Sequence, residues 1–172
     1  FASYFYIFPW DKIGKNSIGM DIGSGSGRWA KYVLPKIKKL YCLDPSIEAI
    51  NVSKKNLSNH NNCEFINGGV NDIDFLADHS LDFAYSLGVF HHIPNINQAF
   101  NSICSKLKDG APMLIYVYYD LSNRGIIYKF IWFVSNILRE VVSKMPFRIK
   151  LFFTDLIALC FYLPISRISK VL

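Results

Sequence analysis

The stretch GMDIGSGSGRWA, residues 19–30, constrains this chain more than any other. Four glycines fall within residues 19–27, at the end of an apolar run that carries one acidic residue, Asp21. The run over 17–22 predicts a strand, the glycines a loop, and 27–34 the helix that follows. Strand, bare loop and helix in that order begin a sheet whose strands run parallel and are joined by helical crossovers. In such a loop Gly23 can take positive φ for the sharp turn and Gly25 lets a ligand touch the main chain. Gly27 lets the next helix start close to the sheet. Free N–H groups at that helix start favour negative charge on the ligand.

The rest of the chain up to residue 119 continues the alternation. Apolar runs over 40–43, 63–66, 81–86 and 113–119 predict four more strands, the last covered on both faces. Between them, 46–57 carries Ile47, Ile50 and Leu57 on one helical face, and Ile96, Ala99, Phe100, Ile103 and Leu107 recur at helical spacing before Gly110. The expected fold is α/β: a Rossmann-like open, mostly parallel sheet with helices on both faces, followed by a C-terminal helical segment. No convincing strand pair follows the fifth strand, so the last strands of such a sheet are expected to be absent from this stretch.

Charge divides the chain at the same place. Residues 1–123 hold 11 Lys+Arg and 11 Asp+Glu, whereas 124–172 hold 8 Lys+Arg and 2 Asp+Glu, so the whole excess of +6 sits in the tail. That tail carries a wide apolar helical stripe from Ile126 to Val142, a break at Pro146, and a second apolar run over 151–163. Neither run reaches the roughly 20 uncharged residues of a membrane span. A neutral body with a basic, apolar tail argues against nucleic acid as the partner, and for a lipid surface or an acidic partner. Residues 1–123 are therefore expected to be the ligand-binding domain and 124–172 a helical insertion or cap of it. Four scattered cysteines, with no paired spacing, predict buried reduced thiols and a cytoplasmic chain. The chain starts at Phe1 without a methionine and ends at Leu172 with no evident close to a fold, as a fragment would.

The ligand is narrowed by spacing. From Asp21 to Gly27 the pattern is D-x-G-x-G-x-G, not the G-x-G-x-x-G of nicotinamide enzymes. Asp44 lies 17 residues beyond Gly27 at the end of the second strand, where a carboxylate accepts both hydroxyls of a ribose. It also precedes Pro45, a favoured first helical residue, so Asp44 can equally serve as a helix N-cap.

Residues 19–27 resemble motif I of class I S-adenosylmethionine-dependent methyltransferases, and LYCLDPS (40–46) resembles the acidic element that follows it. SLDFAYSLGVFHHIPN (80–95) is similar to the fourth-strand signature of the small-molecule, type-11 branch that includes ubiquinone- and menaquinone-pathway enzymes. LKDGAPMLIYVYY (107–119) is similar to that family's fifth strand. The resemblance spans about 12–119 and implies the cofactor S-adenosyl-L-methionine, the fold and methyl transfer, without implying the acceptor. It implies that Asp21 lies near the amino end of the cofactor's methionine, that Gly23, Ser24, Gly25 and Gly27 cradle that portion, and that Asp44 holds the ribose. Pro45, Ser46 and Ile47 would line the adenine, and Ser86, Leu87 and Gly88 would form the floor under the sulfonium. After the third strand, relatives place an Asp on the adenine amino group where this chain has Gly69. Asn71, Asp72 and the Val70 N–H are the available substitutes.

Methyl transfer from an activated sulfonium needs positioning and exclusion of water more than acid–base help. A base is needed for a hydroxyl or weakly acidic carbon, and His91 and His92 are the candidates, with loop packing the plainer role for both. Tyr6, Phe8 and Trp10 in the aromatic FYIFPWDKI (5–13) either fold over the site or pack in the core. The tail suggests a hydrophobic acceptor, a peripheral membrane contact, or a homodimer interface. The expected activity is methyl transfer to a small-molecule acceptor. Its rivals are a nicotinamide-dependent oxidoreductase and a non-enzymatic scaffold that binds a partner or membrane through 124–172.

Overall fold

Strand alternation decides how the sheet is filled. In the computed structural model, which describes residues 4–118 and 125–168, five strands form one sheet: β1 (Ile18–Ile22), β2 (Lys39–Asp44), β3 (Cys63–Asn67), β4 (Phe83–Leu87) and β5 (Met113–Tyr116). Their order is β3-β2-β1-β4-β5, and every pairing is parallel. Because successive side chains point to opposite faces, Leu40, Cys42, Phe83 and Tyr85 pack one core with Ala30, Val33 and Leu34, while Met20, Ile22, Leu43 and Ala84 pack the other with Ile73, Ala99 and Ile103. Strand order reverses between β1 and β4, and this crevice is where open α/β sheets bind ligands.

The crossovers are α1 (Ala30–Val33), α2 (Ile47–Asn56) and α3 (Ile96–Lys106). Ser46 caps α2 by accepting from the Ala49 N–H at 3.2 Å, and Asn95 caps α3 by accepting from Gln98 at 3.3 Å. Thus Ser46, not Asp44, is the N-cap, because it stands one residue before the helix. The helix expected over 27–34 is cut to a single turn. Gly27 has a φ of 74°, which no right-handed helix allows, and Pro35 closes the far end in a tight 3-10 turn over Leu34–Lys36. Of the N-terminal aromatics, Phe8 is buried in the core and Trp10 packs against it, whereas Tyr6 is exposed. The cysteines also depart from expectation: all four are free, but only Cys42 is buried and Cys160 is exposed.

The chain divides into two compact units, Phe1–Tyr118 and Tyr119–Leu172. In the second, α4 (Ile126–Ser143) is followed, after Pro146, by α5 (Phe147–Ile157), a π-helical stretch over Ala158–Tyr162, and α6 (Leu163–Ile168). The last strand expected over 113–119 ends at Tyr116, and its final expected residue lies outside the described residues.

Gly19 shows how tightly β1 and β4 approach, since a Cβ there would run into the Phe83 ring. Gly19→Ala is expected to cost about 1–3 kcal/mol of stability, as overpacked core sites do. In a double-mutant cycle followed by urea denaturation, Phe83→Leu should recover part of that loss; strictly additive losses would remove the steric explanation.

Candidate functional site

The loop after β1 is fixed from the end of β2. The Leu43 carbonyl accepts from the Gly23 and Ser24 N–H groups at 2.8 and 3.0 Å. The next residue, Asp44, accepts from the Gly25 N–H through Oδ2 at 2.8 Å and from the Ser46 N–H through Oδ1 at 2.9 Å. Gly23, Gly25 and Gly27 have φ of 73°, 53° and 74°. A Cβ on Gly23 would collide with Val89, and one on Gly27 with Ser53 and Leu57, so those two glycines serve packing. Gly25 differs: a Cβ there would meet nothing within 4 Å, so its backbone faces open space. Beside it, Ser24 is buried and its hydroxyl has no hydrogen-bond partner among the described residues. A bare backbone and an unpartnered hydroxyl side by side are what a polar ligand would complete.

At the carboxyl ends of β1, β2 and β4 lies a cleft of about 280 Å³. Gly23, Leu43, Pro45 and residues 68–71 form one wall, and Val89, His92, Ile93 and Pro94 the other. The lining is mainly apolar and rich in bare backbone, suited to a flat heterocycle. Of the residues expected around adenine, Pro45, Gly69, Val70 and Asn71 line this cleft. Ser46 and Ile47 do not, since the Ser46 hydroxyl is committed to capping α2 and to Glu48, and Ile47 is exposed on α2. Asp72 is likewise occupied, accepting from the Gly69 N–H at 2.8 Å.

Asp21 is buried within the sheet, where the Tyr85 hydroxyl donates to its Oδ2 at 2.9 Å. Burial pushes its carboxyl up to about 7; the Tyr85 hydroxyl pulls it back, and the charge of Asp44 adds to the rise. Ser86 is fully buried and donates to the Ile22 carbonyl at 2.9 Å, so its side chain holds β4 to β1 and does not line the cleft. Leu87 packs against the core, and Gly88, at φ 78°, gives its N–H to the Tyr116 carbonyl. Neither lines the cleft. The two histidines separate: His92 lines it, whereas His91 packs against His92 with the rings tilted by 50° and their centroids 4.0 Å apart, and meets Tyr118 at 4.9 Å. Neither imidazole has a carboxylate partner among the described residues.

Residues 20–115 match the family model described as a methyltransferase domain. The chain belongs to that family. The match shows the family and not the quinone-pathway subtype within it. No curated protein matches the chain. Among solved structures, the YcgJ protein of Bacillus subtilis is similar at 21% identity and a TM-score of 0.61, over 73% of this chain and 53% of its own. A SAM dependent methyltransferase of Aquifex aeolicus gives 20% identity and a TM-score of 0.57, over 80% of this chain and 81% of its own. Phosphoethanolamine N-methyltransferase 1 of Haemonchus contortus, solved with phosphoethanolamine and S-adenosylhomocysteine, gives 15% and 0.57, over 62% of this chain and 22% of its own. At these identities the likeness is one of fold. The chain spans about half the length of several structures that it matches.

Sequence reasoning missed the second wall of the methyltransferase domain's cleft, Val89, Ile93 and Pro94. Its only signal was an apolar loop where a polar one is usual. It also missed Tyr85, whose signal was position: alternation in FAYSL sets it on the same sheet face as Asp21, in register on the neighbouring strand.

The raised Asp21 pKa fixes a sign. The folded chain keeps a proton that the unfolded chain, with its ordinary value of 3.8, releases, so stability falls as pH climbs from about 4 to about 7 and then levels. Asp21→Asn removes that proton exchange. From about pH 5 to about pH 8, thermal melts should show the variant gaining on the unsubstituted chain by about 2–3 kcal/mol. A constant difference across that window would mean that Asp21 is not held protonated.

Proposed function

We propose that this methyltransferase domain binds S-adenosyl-L-methionine at the glycine loop and transfers its methyl group to a small, hydrophobic acceptor in the cytoplasm. The observation that carries the reading is the open Gly25 backbone fixed by Asp44, with the unpartnered Ser24 hydroxyl next to it. These residues fit the amino-acid end of the cofactor, and the apolar cleft beside them fits its base. When bound, the cofactor supplies a methyl group already activated on a positive sulfur.

The chain's own residues divide the remaining work. Each Asp44 oxygen already accepts one backbone N–H and retains capacity for a further donor, which suits ribose hydroxyls. Asp21 and Asp44 together favour a cationic group at this loop and disfavour a pyrophosphate, which weighs against the nicotinamide reading. Val89, Ile93 and Pro94 give the cleft an apolar wall for the cofactor's base. His92 belongs to the cofactor wall, so the base for a hydroxyl or carbon acceptor is His91, which shares the rim with Tyr118 next to Gly88. Residues 124–172 contact either a membrane surface or a second copy.

Isothermal titration with S-adenosylhomocysteine should give nanomolar to micromolar affinity. Asp44→Ala should weaken that affinity roughly ten- to a hundredfold, the worth of bonds to a charged group. Heat with NAD and none with S-adenosylhomocysteine would transfer the site to the oxidoreductase reading. The histidines give a second test. His92→Ala should weaken S-adenosylhomocysteine binding, whereas His91→Ala should leave it intact and lower turnover on the acceptor by about 10²–10⁴-fold. Full turnover in His91→Ala would leave the site without that base.

A further inference from the structure

The second unit presents a surface that water alone does not suit. At 3.6 residues per turn, Ile127, Phe130, Ile131, Val134, Leu138 and Val141 fall along one face of α4, and all six are exposed, from 39% for Val134 to 79% for Ile127. The opposite face carries Lys129, Asn136, Arg139, Glu140 and Ser143, with Trp132 and Tyr128 among them. A helix with a broad apolar face, and with Lys129, Arg139 and aromatic rings among the residues of its other face, suits the plane of a lipid interface. At about 27 Å, α4 is not far short of a bilayer core, but no helix among the described residues is long and apolar enough to cross a membrane.

Charge chooses the kind of membrane. Between residues 125 and 168, Lys129, Arg139, Lys144, Arg148, Lys150 and Arg167 face only two acidic residues, Glu140 and Asp155. Glu140 is already paired with Lys144 at 2.9 Å. Lys129, Arg139 and Arg148 make no ion pair among the described residues. Such a helix is drawn to negative headgroups at its polar face while its apolar face enters the acyl boundary. A second copy would bring the same positive charge to the same face.

We infer that α4 lies in the headgroup plane of an anionic lipid membrane and seats the chain on its surface. This does not rest on the methyl-transfer reading. The test is flotation of the full chain with vesicles of phosphatidylcholine alone or mixed with phosphatidylserine. The chain should float with the mixed vesicles, much less with phosphatidylcholine, and added salt should release it. Lys129→Gln with Arg139→Gln should weaken binding by roughly fivefold for each charge removed. Phe130→Asp, at an exposed position, should abolish flotation and leave the melting temperature unchanged. Absent or equal flotation with the two vesicle types would overturn the proposal. So would a lipid-free dimer that Phe130→Asp dissolves, which would assign the face to a second copy.

Discussion

The last two residues of β2 hold the functional end of this molecule in shape. A loop with three glycines at positive φ has no conformational reason to adopt one path, and fixing each residue costs about 1–2 kcal/mol. The Leu43 carbonyl and the Asp44 carboxylate take the N–H groups of Gly23, Ser24 and Gly25, and Asp44 reaches Ser46 as well. A hydrogen bond to a charged acceptor contributes about 1.5–3 kcal/mol, so the Gly25–Asp44 bond is the strongest of the three that order the loop. The same side chain therefore shapes the cradle and holds Ser46, the cap of α2, in place. That helix returns the support, because Asn56 donates to the Ser26 carbonyl at 2.9 Å and Leu57 packs beneath Gly27. Replacing Asp44 disturbs the loop, the helix start and any ribose contact together.

Asp21 works against stability in the same region. A carboxyl buried among Tyr85, Cys42 and the strand backbone is disfavoured in its charged form, and its neighbour Asp44 adds repulsion. Tyr85 answers by donating, and its own hydroxyl is held protonated well above the ordinary tyrosine range by burial and by Asp21. A neutral side chain would suit the fold better. A buried, half-protonated acid behind a glycine loop suits a cationic ligand, whose charge would draw the proton off.

The strands were legible because a parallel sheet buries both faces and leaves nearly unbroken apolar runs. The glycine loop and Asp44 were legible for a related reason, since few other structures require that spacing. What failed was local. Nothing in the periodicity over 27–34 said that Gly27 would take positive φ and reduce the helix to one turn. In the sequence Asp44 is a candidate cap because Pro45 follows it, whereas the observed start of α2 gives that place to Ser46. The cleft's second wall was hidden because Val89, Ile93 and Pro94 act through the place where their loop folds, which no spacing rule encodes. The aromatics of the N-terminal segment were ambiguous for the same reason: Phe8 and Tyr6 are two residues apart, one buried and one exposed.

Helices α3 and α4 mark the limit of periodicity as evidence. Both carry apolar residues at helical spacing. In α3, Ala99 and Ile103 are almost wholly buried, while in α4 no side chain is buried. The difference follows from connection. α3 joins β4 to β5, two neighbouring parallel strands, so the chain must lay it back across the sheet. α4 comes after β5 and joins no described strand, so no crossover obliges it to cover the sheet. A stripe tells where a face is; topology tells whether the protein itself covers it. Where topology makes no such demand, the charges around the face carry the remaining information, and between residues 125 and 168 six of the eight are positive.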